Sequence, residues 1–206
     1  MKYGGVLLFF LLQLPAQGQG VVKSFFSLGR PEQCWALSHP FKAGKAFRIT
    51  RDVRKHVSEV YRYEALDSFP HGGSLDAYRH CYWMASLGGK IGSRAARKLG
   101  KAHEKSNYRA FRRGKAVDGV IQDSNAVVMD LHNNEAGLRL AEAHPEHSPE
   151  SLQQLVMEEL RSGRLLRLKT NHAGQLLPCE GSTPVDFSRR GRKQWQMPTC
   201  LLKSNE

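Results

Sequence analysis

Between residues 47 and 66, Val53, Val57, Val60 and Tyr61 recur every three or four positions, with basic side chains between them. That spacing predicts an amphipathic helix. The stretch "DSFPHGG" breaks it, and Ser74 is the expected cap of a second helix running to about Leu87. Ser93 caps a third, "RAARKLGKAHEKSN", and Ser124 or Asn125 opens a fourth, "AVVMDLHNNEAGLRLAEA", which stops near His144-Pro145. Ser148-Pro149 starts a fifth, "PESLQQLVMEELRSG", closed by Gly163. "RLLRLKT" reads as a short strand or extended arm. Residues 19–45, with Gly29, Pro31, Pro40 and Gly44, read as irregular, the basic stretch 108–124 as a loop, and 171–206 as a loop-rich tail. The expected fold class is mainly α: one domain of four to five helices over 46–170, between loop-rich ends.

The second helix does not have the pattern of an ordinary core element. "LDAYRHCYWMASLGG" (75–89) is apolar around most of its circumference, yet Asp76, Arg79, His80 and Trp83 fall at i, i+3, i+4 and i+7, on one face. Unpaired charge does not survive burial, so such a stripe must meet a pocket or a second polar stripe. Two other helices offer one. His103 follows Ala96 and Leu99 at inward spacing, with Glu104 beside it. Asp130, Asn133, Asn134 and Gly137 share a face of the fourth helix. Asn and Gly inside a helix weaken it, and Gly137 would let a neighbouring backbone approach closely. His132, about 200° round from this face, is expected on the surface.

Helical domains build sites from inward side chains on facing helices. The expected catalytic set is Asp76, Arg79, His80, His103, Glu104, Asp130 and Asn134. Two imidazoles and a carboxylate (His80, His103, Asp130) suit a divalent metal, Zn²⁺ above others. Without a metal, Glu104 or Asp130 would serve as base, with His80 or His103 as partner. Asp76 would orient His80, and Arg79 and Asn134 would stabilise developing negative charge. The alternative is a satisfied and inert polar network. No HExxH, GxSxG or P-loop pattern occurs in the chain.

Composition narrows the setting. Lys2, the apolar run "VLLFFLLQL" and the small residues Ala16 and Gly18 form a secretory signal pattern over 1–18. The expected location is therefore secreted or periplasmic. Its removal takes one lysine and lowers the formal charge from +12 to +11. So basic a protein is drawn to polyanions: nucleic acid, anionic lipid or cell-wall polymers. "YRAFRRGK" interleaves aromatics with basic residues, as single-strand binders do. Four cysteines remain, and Cys179 with Cys200 is the preferred disulfide pair.

The blocks "DAYRHCYW" (76–83), "AHE" (102–104) and "MDLHNNEAG" (129–137) resemble an uncharacterised bacterial domain family. That family is found in secreted proteins and at the ends of Rhs-type polymorphic toxins. The resemblance covers about 65 residues and implies that Asp76, Arg79, His80, Trp83, His103, Glu104, Asp130, Asn133, Asn134 and Gly137 are shared positions. It implies no established reaction. The expected function is a secreted hydrolase, with or without a metal, or a toxin-like effector, acting on a polyanionic substrate, a phosphodiester in lipid or nucleic acid being favoured. The alternatives are a non-enzymatic secreted binding protein and a metal-independent glycan or cell-wall hydrolase with Glu104 as general acid.

Overall fold

The computed structural model describes residues 23–63, 66, 67, 69, 71–116, 122–188 and 194–206. The signal pattern at 1–18 and part of the basic stretch, 117–121, lie outside the described residues. Six long helices follow one another: α1 (Arg30–Ser38), α2 (Pro40–Tyr63), α3 (Ser74–Ile91), α4 (Ser93–Arg112), α5 (Ser124–Ala143) and α6 (Pro149–Arg161). A short helix over 23–27 precedes them, and two short strands, β1 (Leu166–Leu168) and β2 (Leu201–Lys203), complete the fold among the described residues. No helix among the described residues is long and apolar enough to cross a membrane.

The mainly helical fold agrees with the sequence pattern, but the helix count exceeds four to five. The surplus lies in the segment expected to be irregular. Pro31 sits in the first turn of α1, where a missing N–H breaks no helical bond. The Gly29 N–H donates to Glu32 Oε2 at 2.9 Å, closing that turn. Pro40 likewise opens α2, so both prolines mark helix starts. The expected loop from residue 108 is also helical at first, since α4 runs on to Arg112. Ser74 is the first helical residue rather than the cap. Its N–H and that of Leu75 donate to the Asp67 carboxylate at 2.6 and 3.4 Å. Asp123 caps α5 by accepting from the Ala126 N–H, and Ser148 caps α6 as its sequence suggests.

Helix α3 is the centre of the molecule. On one side Tyr78, Cys81 and Tyr82 pack with Val53, Val57 and Val60 of α2 and with Leu152 and Val156 of α6. On the other, Met84, Leu87 and Ile91 pack with Trp35 of α1, Ala96 and Leu99 of α4, and Leu138 of α5. Helices α3 and α5 touch at backbone distance. A methyl added at Gly137 would lie 2.1 Å from the Cys81 carbonyl oxygen and 2.9 Å from the Ala85 nitrogen. The glycine that weakens α5 as a helix therefore lets it dock on α3.

The strands pair antiparallel, Leu166 opposite Lys203 and Leu168 opposite Leu201. The Cys179–Cys200 disulfide fastens the tail beside β2, while Cys34 and Cys81 are free thiols. The Leu168 N–H donates to the Gly72 carbonyl at 2.6 Å. Gly72 has φ +81°, and a side chain there would press on Leu168. The tail is thus tied to the residues that open α3.

Candidate functional site

The polar stripe of α3 faces α4 and α5 across a buried cluster. Asp76, His80, Glu104, Asp130 and Asn134 are all buried; Arg79 and His103 are partly exposed. Asp76 is held at both oxygens. Oδ2 accepts from the Gly72 N–H at 2.7 Å, and Oδ1 accepts from Arg79 Nη2. His80 lies between this pair and α5. Its Nδ1 is 3.3 Å from Asn134 Oδ1, and its Nε2 lies 3.3 Å from Asp130 Oδ1 and 3.5 Å from Asp76 Oδ1. Bonding Asn134 Oδ1 requires a proton on Nδ1, so Nε2 of the neutral ring carries the lone pair. Arg79 Nη2, 3.3 Å away, can donate to it. Burial is the main reason that the His80 pKa falls to about 3, with the Arg79 and His103 charges adding to it against Asp76.

The neighbouring carboxyls shift the other way. Burial raises the Asp130 pKa well above the ordinary range, and the Glu104 and Asp76 charges raise it further. Glu104 is also raised, by burial first and by Asp76, while His103 and Asn107 oppose the rise. Asn107 Nδ2 donates to Glu104 Oε2 at 3.1 Å.

Three atoms here have no hydrogen-bond partner among the described residues: Glu104 Oε1, Asp130 Oδ1 and Asn134 Nδ2. Asp130 Oδ1 is close to His80 without hydrogen-bond alignment. Buried polar atoms are normally paired. Three orphans in one cluster are room for something that bonds them.

His103 stands on the open side of the cluster. Its ring centroid is 6.4 Å from that of His80 and 5.6 Å from that of Trp83. Its Nδ1 is 2.9 Å from Glu32 Oε1. Burial opposes charge on His103, but the Glu32 bond and the Glu104 and Glu32 charges raise its pKa. Glu32 is correspondingly lowered: burial works against ionisation, and His103 and the Gly29 N–H outweigh it. Together Arg79, His80 and His103 form the polar floor of a cavity of about 210 Å³. Its walls, from α1, α2 and Leu99 of α4, are mostly apolar, with Glu32, Thr50 and Arg54 among them. Two broader depressions beside α6 are open surface, lined by residues such as Gln154 and Glu158, and contain none of these groups.

The structure therefore brings together Asp76, Arg79, His80, Asp130 and Asn134, with Glu104 and His103 adjoining. The tightest donor group is Asp76, His80 and Asp130, with one ligand atom from each within 4.8 Å of the others. It differs from the expected His80, His103, Asp130 set in that His103 turns its Nδ1 to Glu32. Asn133 sits apart. Its Nδ2 donates to the Leu166 carbonyl and its Oδ1 accepts the Leu166 N–H, both at 2.9 Å, pinning β1 to α5. His132 is exposed, as its position on the helix implies. Glu32 was hidden from sequence reasoning because its segment reads as irregular; the one signal was the Glu three residues after Gly29, a helix-start pattern.

The fold and site define a helical domain built around a buried Asp-His-Asp cluster that opens into an apolar cavity. The chain belongs to the family described as Domain of unknown function (DUF6973), whose model matches residues 33–164. All the cluster residues except Glu32 lie inside that match, and so does α3 in full. No solved structure matches the chain.

Proposed function

We propose that the protein is a secreted hydrolase of an anionic substrate, with a phosphodiester or similarly charged ester bond broken at the floor of the cavity. The observation that carries this reading is the set of three buried, unpartnered atoms, Glu104 Oε1, Asp130 Oδ1 and Asn134 Nδ2, beside a neutral His80 that reaches the cavity. A purely structural network would have been satisfied. Arg79 and His103 supply positive charge where negative charge develops. His80 Nε2 takes a proton from the attacking water and returns it to the departing oxygen as the ester bond breaks, Asn134 fixes the imidazole tautomer, and Asp76 holds Arg79 in place. Glu104 keeps Asp130 weakly acidic. The Cys179–Cys200 disulfide supports an oxidising, extracellular setting, and the resemblance to toxin-associated domains supports an effector role.

The test is a substrate panel of phospholipids, nucleic acids and cell-wall polymers, with wild type and His103→Gln. Loss of this charge-stabilising imidazole should lower turnover by at least about 10²-fold. A folded wild-type protein inert on the whole panel would overturn the hydrolase reading in favour of a binding protein.

A second reading has its own observation. The donor atoms of Asp76, His80 and Asp130, within 4.8 Å of one another, suit a divalent cation such as Zn²⁺. Arg79 would have to withdraw from Asp76 to admit it. A cation held there would supply Lewis acidity. Zinc should then raise the melting temperature of the wild type reversibly with chelator, and not that of Asp130→Asn. Equal response of the two proteins would remove this reading.

A further inference from the structure

Helices α1 and α2 wall the cavity, and their outer surfaces do not look like ordinary protein surface. Phe41 is 98% exposed, Leu37 72% and Phe26 68%. Single exposed apolar residues are unremarkable. Here Leu37 and Phe41 flank the sharp α1–α2 junction at His39, and Phe26 precedes α1. Leu28, between Phe26 and α1, is exposed and also lines the cavity. On α2, Phe41, Lys45 and Arg48 fall at i, i+4 and i+7, one outward face with an aromatic tip and basic residues behind it. Neither Lys45 nor Arg48 forms an ion pair among the described residues. Aromatic tip and adjacent basic side chains are the composition of helices that lie in a membrane interface. The basic residues meet anionic headgroups, and the aromatic group enters the boundary with the acyl region.

The cavity behind this corner has matching chemistry. Trp35, Ala46 and Phe47 give it hydrocarbon walls, and Arg54, Arg79 and His103 line it with positive charge that outnumbers the one lining carboxylate, Glu32 on His103. At about 210 Å³ it is somewhat larger than a dry apolar cavity that accepts a benzene ring. It fits a segment of one hydrocarbon chain. Nucleic acid would instead need an open groove with aromatic platforms for its bases.

We propose that the α1–α2 corner docks on anionic membranes, and that the ligand of the cavity is an anionic phospholipid whose acyl chain enters between α1 and α2 with its phosphate at Arg79 and His103. The turnover of that lipid rests on the hydrolase reading above; its binding does not.

The full chain is tested by co-sedimentation with vesicles of phosphatidylcholine alone and of equal phosphatidylcholine and phosphatidylglycerol. Wild type should bind the mixed vesicles and not the neutral ones. Phe41→Ser leaves the core untouched, because Phe41 is almost fully exposed, and should weaken binding by about tenfold or more. Charge reversal at Lys45 and Arg48 should weaken it further. Chain entry is read separately with a fluorescent fatty acid: Ala43→Phe, on the partly buried cavity wall, should abolish its uptake while vesicle binding persists. Should that variant misfold, Ala36→Leu narrows the same cavity from α1. Binding to mixed vesicles that ignores Phe41→Ser is electrostatic adsorption and overturns the docking surface. So does a dimer, seen by light scattering without vesicles, that Phe41→Ser dissociates. Fatty-acid uptake unchanged by both cavity variants overturns the chain site. A protein that binds vesicles and fatty acid but hydrolyses nothing fails the hydrolase reading alone. One that cleaves soluble phosphodiesters yet ignores vesicles fails this proposal alone.

Discussion

Replacing Glu104 with glutamine should make the protein more stable at neutral pH and less active. Glu104 is 3% exposed, its Oε1 has no partner, and its pKa is raised chiefly by burial. A carboxyl that holds its proton more tightly in the folded state favours folding below the ordinary carboxyl range, near pH 4. That advantage is lost as pH rises through the folded-state value. Each tenfold weakening of the acid corresponds to about 1.4 kcal/mol. Glutamine cannot ionise, and its carbonyl keeps the hydrogen bond from Asn107. The amide nitrogen takes the open Oε1 position, so the gain at about pH 7.5 comes from removing the buried charge alone and should be on the order of 1–3 kcal/mol. For a chain of this length each kcal/mol is read as about 2–4 °C in melting temperature. Near pH 4 the two proteins should melt together. Urea titrations followed by circular dichroism at both pH values decide the matter. If Glu104→Gln is less stable at neutral pH, or the difference is the same at both, the carboxyl is a paired structural group. The centre of the cluster is then a closed network and not an open site.

Gly137→Ala should destabilise by about 1–3 kcal/mol or more, because the added methyl meets the Cys81 carbonyl at 2.1 Å. Alanine's better helix propensity works in the opposite direction, so a neutral or stabilising result in urea would show that α3 and α5 are not in backbone contact. Asn133→Ala strands both polar groups of Leu166 and should cost roughly 2–4 kcal/mol with turnover per folded molecule preserved. Asn134→Ala should show the reverse balance, a smaller stability loss with turnover lowered ~10–100-fold, as outer partners of functional imidazoles behave. Glu32→Gln should lower the His103 pKa in an NMR titration, since Glu32 raises it in the folded protein; an unchanged value would show that the two side chains do not pair in solution.

Much of this arrangement is legible in the chain because helical spacing fixes which residues share a face. Asp76, Arg79 and His80 could be placed together from i, i+3 and i+4 alone, and Asp130 with Asn134 in the same way. Gly137 advertised a close contact because nothing else explains a glycine inside a helix. Spacing cannot tell which neighbour a side chain chooses. His103 was correctly inward, yet its partner Glu32 sits 71 residues away, in a segment whose prolines read as breakers. Proline breaks a helix in its middle and starts one at its end, and only the flanking residues distinguish the two. Asn133 and Asn134 are adjacent and both buried, but one serves β1 and the other His80, a difference of about 100° around α5. The cavity was not legible at all, because it is a space between four helices and no sequence period encodes it.

The distribution of satisfied and unsatisfied groups gives the cluster its meaning. At its edge the polar groups are anchored to backbone or to a counter-charge: Asp76 to the Gly72 N–H and Arg79, Glu32 to the Gly29 N–H and His103. At its centre the Glu104, Asp130 and Asn134 atoms are left open. Selection for stability alone would put apolar groups at the centre, since replacing a buried ionic set by well-packed hydrocarbon is often neutral or stabilising. An anchored rim around an open polar centre holds costly groups in fixed positions, which is what binding or proton transfer to a third body requires. The same logic explains why α3 is apolar on its remaining faces. Two hydrophobic clusters, one on each flank, fix the helix firmly enough that its polar stripe cannot turn away to water.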